Sequence, residues 1–264
     1  MKLYKYTSIN QRLYESLGNG MLWFANAKSF NDPYDCNSPV ILGAKEEHIE
    51  RYFHSISQAK RPELLLNMSL PQLLSAWQSE PNHIENALKS MAAKALDEMG
   101  LLCLSANGKS IPMWAHYADS QKGVCLELEF ESSEGDVFDG KDWCKVNYPH
   151  DKHYQKFFDD DKDPKKSIFG LALTKSPEWR SEEEYRVIQN SPGLYSFNRK
   201  TLTGVVFGFN ASEASKATIK RLLTIDLYPN VRFGHVALDE DTYSLQVTYE
   251  AHETAPESTQ VLQS

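Results

Sequence analysis

The longest helical stretch of this chain is residues 44–99, a block of consecutive candidate helices flanked by segments in which strands dominate. That distribution is what most narrows the folds open to it. Ala44–Gln58 and Pro71–Trp77 are candidate helices, and residues 82–99 are the clearest. There Ile84, Ala87, Leu88, Met91, Ala95 and Met99 recur at helical spacing, and Gly100 stands where a helix would stop. Before the stretch, Leu3–Tyr6 and Met21–Ala25 read as short strands around a helix over 8–18 that ends at Gly18 or Gly20. Asn31-Asp32-Pro33 then breaks both helix and strand, so Ser29–Asp35 reads as a turn.

After the stretch, residues 101–105, 123–130, 142–148, 184–189, 202–207 and 231–238 read as strands, and 111–118 and 165–175 as short helices. Asn210 is placed to cap a helix through Leu223, with Glu213 at the capping-box position. Tyr243, Leu245, Val247 and Tyr249 alternate with Ser244, Gln246 and Thr248, the pattern of a half-buried strand. The expected fold is α+β. A single domain over 1–250 would hold a mixed or antiparallel sheet core with a helical insertion near 44–99, and the polar residues 251–264 would form a disordered tail.

Composition limits the partners. The formal net charge of -8 gives no electrostatic drive toward bulk nucleic-acid binding. No segment approaches the ~18–20 apolar residues of a membrane span, and Met1–Tyr6 lacks an apolar signal core, so a cytoplasmic protein with no membrane partner is expected. Cys36, Cys103, Cys125 and Cys144 contain no CxxC pair, so no thiolate zinc site and no metal are expected. His150-x-x-His153 has the spacing of a metal half-site but reads as a surface pair, and Asp159–Asp163 lacks the glycine and terminal glutamate of a calcium loop. Neither a phosphate-binding loop nor a dinucleotide or serine-hydrolase motif occurs.

Three clusters carry the candidate chemistry. Tyr4, Lys5 and Tyr6 with Trp23, Phe24, Asn31 and Asp32 form either a ligand floor or core aromatics beside a turn whose Asx side chains cap the backbone. Met113–Ala118 brings together Trp114, His116 and Tyr117. On a helix Met113, His116 and Tyr117 would share a face, with Trp114 and Ala118 on an adjacent one. Rings that stack and an imidazole that both donates and accepts suit a flat polar ligand; the same residues also suit a buried helix. In Trp179-x-x-Glu182-x-Glu184-x-Arg186, strand geometry would point both carboxylates and the guanidinium to one face, either as a charged pocket wall or as an exposed ion-pair surface.

The strings LYKYT, LWFANAKSFNDPYD, MWAHYADSQKGVCLE and WRSEEEYRV together resemble a widespread bacterial family of unknown function, over roughly residues 1–250. More distantly, the layout resembles the ADP-ribosyltransferase fold. In that resemblance Lys5 or Tyr6 takes the place of the basic or His residue of the first strand. Leu17–Gly20 takes the end of the first helix, Trp23 and Phe24 the aromatic strand, and Glu184 the late-strand catalytic glutamate. This chain has no His on its first strand and no Ser-Thr-Ser run on its second.

The resemblance implies an NAD-dependent transferase or glycohydrolase acting as a toxin or phage-defence effector, with NAD as substrate and a nucleic acid or protein as acceptor. Glu184 or Glu182 would face the oxocarbenium-like transition state, and Arg186 would orient the carboxylate or hold a diphosphate. Tyr4, Lys5, Tyr6, Trp23, Asn31, Asp32, Trp114, His116 and Tyr117 would line the ligand pocket. Two other readings stand beside it: a non-catalytic nucleotide-sensing or protein-interaction module, and a nuclease acting through Glu and His.

Overall fold

The computed structural model describes residues 1–36, 40–41, 43–130, 143–149, 155–156 and 169–250. Strands in chain order are β1 (Lys2–Thr7), β2 (Met21–Asn26), β3 (Val40–Ile41), β4 (Gly100–Ser105), β5 (Val124–Glu129), β6 (Trp143–Lys145), β7 (Gln155–Lys156), β8 (Glu184–Gln189), β9 (Gly193–Ser196), β10 (Leu202–Phe207), β11 (Arg232–Leu238) and β12 (Leu245–Tyr249). Helices α1 (Gln11–Asn19), α2 (Glu46–Gln58), α3 (Leu70–Ser79), α4 (Pro81–Asp97) and α5 (Ile111–Tyr117) precede a last helix, Glu213–Leu222. The architecture is α+β, with mixed but mostly antiparallel sheets. The chain forms two compact units. Unit 1 takes Met1–Tyr14, Gly108–Phe130 and the described residues from Arg199; unit 2 takes Glu15–Asn107 and the described residues up to Asn198.

In unit 1 the strands run in the order β12-β11-β10-β5-β1. Only β10 and β11 are parallel; the other three pairings are antiparallel. β5 and β10 are rich in aliphatic and β-branched residues and are covered on both faces, as inner strands require. Against the sheet lies α5, started by Ser110, whose hydroxyl accepts the Met113 N–H, and by Pro112 in the first turn. It buries Met113 and Trp114, and Ala118 beyond its end is buried too. Asp119, Ser120 and Gln121 then all adopt left-handed backbone. This reversal brings Gly123 so close to β1 that a Cβ there would lie 2.3 Å from the Thr7 carbonyl oxygen.

Unit 2 pairs its strands antiparallel in the order β9-β2-β4-β8-β6, with β3 and β7 as a separate parallel pair. β4 and β8 match along their full length, from Gly100 opposite Gln189 to Ser105 opposite Glu184. Helices α2, α3 and α4 build their own core from Ile49, Tyr52, Leu73, Ile84 and Leu88. The buried Glu85 fastens the entry to this block, accepting N–H bonds from Gly43 (2.7 Å) and Ala44 (2.9 Å) and one from Trp77 Nε1 (3.2 Å).

Several sequence expectations are corrected. α4 ends at Asp97, and Gly100 opens β4 rather than stopping a helix: a Cβ there would lie 2.2 Å from the Ser191 carbonyl oxygen, so close backbone approach demands the glycine. The last helix is capped by Ser212, whose hydroxyl accepts the Ser215 N–H, and not by Asn210. Among the described residues of 142–148, strand covers Trp143–Lys145, and Tyr243 is fully exposed outside β12. His150, His153, Asp159–Asp163 and the tail 251–264 lie outside the described residues. No helix among the described residues is long and apolar enough to cross a membrane.

Candidate functional site

The densest chemistry in unit 2 surrounds Arg186 on β8. Its guanidinium is wholly buried, and each of its N–H groups has an acceptor. Nε donates to Glu184 Oε1 (2.7 Å), and Nη2 to Glu184 Oε2 (3.0 Å) and Asp35 Oδ2 (2.7 Å). Nη1 donates to the Ala172 carbonyl oxygen (2.7 Å) and Cys36 Sγ (3.3 Å), and the Phe30 ring lies 5.3 Å from the guanidinium carbon. Lys175 supplies the second cation. Its ammonium donates to Glu182 and to Glu184 Oε2 (3.2 Å), lies 3.6 Å from Asp35 Oδ2, and sits 5.0 Å from the Trp179 ring centroid. Three carboxylates against two cations leave this buried network with one negative charge in excess.

Local structure delivers each member. In the FNDPYD turn, Asp32 Oδ1 accepts the Tyr34 N–H (2.9 Å) and the Asp32 carbonyl accepts the Asp35 N–H (3.1 Å), which sets Asp35 toward Arg186. Lys175 is held by backbone exchange: Asn147 donates to the Leu173 carbonyl (2.7 Å) and its own carbonyl accepts the Lys175 N–H (3.0 Å). The Ser105 hydroxyl donates to the Glu182 carbonyl (2.6 Å), and the Glu184 N–H donates to the Tyr148 phenol oxygen (2.9 Å).

Burial alone would push the Glu184 carboxyl up. The charge and hydrogen bonds of Arg186, with Lys175 behind them, outweigh it and bring the pKa down to about 2. Burial pushes the Cys36 thiol up to about 12 against the pull of Arg186, so it does not serve as a thiolate nucleophile near neutral pH.

The expected site residues divide between the units. Glu182, Glu184 and Arg186 do converge, but not as one strand face and not as an exposed ion-pair surface. Glu182 ends a 3-10 helix, Pro177–Glu182, and left-handed Glu183 separates it from β8; Lys175 draws the two carboxylates together. Asp32 is buried as the turn-forming residue, Asn31 is exposed and Trp23 half-buried.

In unit 1, Tyr4 and Tyr6 share a face of β1 while Lys5 points to the opposite one. Tyr6 is core: its phenol oxygen accepts the Ser110 N–H (3.3 Å) and its ring meets Trp114 edge-on at 5.3 Å. Trp114 is fully buried, and its Nε1 has no hydrogen-bond partner among the described residues. Met113 does not share its face with His116. Met113, Trp114 and Ala118 turn inward, His116 is exposed and Tyr117 is half-buried. Sequence reasoning missed Lys175, and it took Asp35 for a turn residue only.

Residues 113–187 match the DUF2971 family. Its description is a protein of unknown function. The expected resemblance to a family of unknown function is thus found over this span, shorter than the 1–250 expected for it. The DUF2971 span opens in α5 and closes on β8, taking in Lys175, Glu182, Glu184 and Arg186 while Asp35 lies outside it. No curated protein and no solved structure matches the chain. Among the described residues no group of three or more His, Cys, Asp or Glu side chains is arranged to hold a metal ion.

Proposed function

We propose that this chain is a non-catalytic binding module for a nucleotide-class small molecule, with the unit 2 ion network as its rigid base. The observation that carries this reading is the engagement of Arg186 and Glu184. All guanidinium N–H groups and both Glu184 oxygens are taken up inside the protein, at 0% and 3% residue exposure. A diphosphate finds no donor left on Arg186, and a ribose hydroxyl finds no open oxygen on Glu184. The nucleotide class is supported by the resemblance to the ADP-ribosyltransferase layout and, within unit 2, by the half-buried ring of Trp23, which keeps surface for stacking.

A second reading, NAD-dependent transfer or glycohydrolysis by a toxin or phage-defence effector, is favoured by the charge of the same network. Its excess negative charge has the sign that stabilises an oxocarbenium-like transition state. Glu184 would then act as a fixed charge, since a carboxyl with a pKa of about 2 carries no proton to donate near neutral pH.

Incubation of the purified chain with NAD separates the two. The binding reading expects Tm to rise with NAD concentration, no nicotinamide to appear, and the rise to persist in Glu184→Gln. Nicotinamide release that Glu184→Gln abolishes while NAD still raises its Tm would establish the transferase instead. If neither NAD nor ADP-ribose nor any common nucleotide shifts Tm, the nucleotide class is wrong.

A further inference from the structure

Unit 1 holds a second charged centre, independent of the unit 2 network. Glu127 on β5 has Tyr4 of β1 opposite it on one side and Gly204 of β10 on the other. Its side chain is 5% exposed. Oε1 accepts a short hydrogen bond from the Tyr249 phenol, but Oε2 has no hydrogen-bond donor among the described residues. The Lys2 ammonium stands 3.6 Å from Oε2, attracted but beyond hydrogen-bond reach. Gly204 leaves the space for this oxygen: a Cβ there would lie 2.4 Å from it. The Tyr249 ring in turn carries the Arg232 guanidinium carbon 4.3 Å from its centroid.

The surroundings thus select positive charge twice over. The carboxylate draws in an ammonium, and the tyrosine ring draws in a guanidinium. A buried carboxylate oxygen without a donor is costly, and an N–H from outside removes that cost. We propose that Glu127, with Tyr4 and Tyr249, binds a flat organic cation of the amidinium or guanidinium class, its N–H groups completing Oε2 and its face lying against a tyrosine ring. Lys2, whose side chain is 30% exposed, marks the approach from solvent and yields its position to the ligand.

Benzamidine is the probe and benzamide its uncharged isostere, with binding to the full chain followed by calorimetry near neutral pH. Saturable benzamidine binding is expected, with benzamide and the Glu127→Gln variant each weaker by about tenfold or more. Lys2→Ala, which removes the resident ammonium, should bind benzamidine at least as tightly as wild type. Tyr249→Ala, which removes one ring, should bind several-fold more weakly. These two variants carry the test if Glu127→Gln does not fold. Absence of saturable benzamidine binding to the wild type, equal binding of benzamide, or loss of binding in Lys2→Ala overturns the assignment.

Discussion

Replacing Arg186 by alanine should destabilise the protein by about 3–5 kcal/mol, the cost of removing one partner from a buried ion pair. The loss is large because it is not confined to one contact. Glu184 loses the guanidinium donors to both of its oxygens and keeps Lys175 on Oε2, Asp35 loses its 2.7 Å partner, and the Ala172 carbonyl is left without its guanidinium donor. Three negative charges would then remain around Lys175 in a buried site that screens them poorly. Arg186→Lys keeps the charge but replaces a planar fork by three donors on a point charge, so its loss should be smaller than that of Arg186→Ala. Urea denaturation with an unchanged m-value measures both. An Arg186→Ala variant within about 0.5 kcal/mol of wild type, the range of an ordinary surface substitution, would show that the network does not hold unit 2 together.

Acidification should remove a second large contribution. The folded pKa of Glu184 lies at about 2, against an ordinary value of 4.5. Because the folded value is the lower one, the stabilisation is fully present above pH 4.5 and is lost as pH falls toward about 2. The difference corresponds to on the order of 3 kcal/mol. Folding stability followed by urea titration between neutral and acidic pH should fall along this limb. Glu184→Gln, which has no proton to take up there, should show a shallower limb than wild type. Parallel limbs for the two proteins would mean that Glu184 is not held ionised by Arg186 and Lys175.

The sequence was legible where its periodicity was physical. β8 and β10 fall where aliphatic and β-branched runs placed them, and the stripe Ile84, Leu88 and Ala95 of α4 is buried as its spacing required. β9 was missed, although Ser191-Pro192-Gly193 is a turn signal that could have flagged a strand after it. The site was legible by residue type and not by partner. An i, i+2 spacing suggested a common strand face for Glu182 and Glu184, yet a left-handed residue between them carries no glycine to announce it. Lys175 belongs to no motif, and the Asn147 backbone exchange that brings it under the carboxylates is a tertiary contact that no local pattern announces. Asp35 was visible as part of a turn, but its pairing with a residue 151 positions away is a property of the fold alone.

The charges of unit 2 are locked, with Glu184 anionic and fully engaged. Carbon-detected NMR titration of the Glu184 side-chain carboxyl, assigned by its disappearance in Glu184→Gln, reads that state at the atom itself. A titration midpoint near 2, or no titration before the protein unfolds in acid, is expected. A midpoint at the ordinary value of 4.5 or above would show an open carboxylate that Arg186 and Lys175 do not hold.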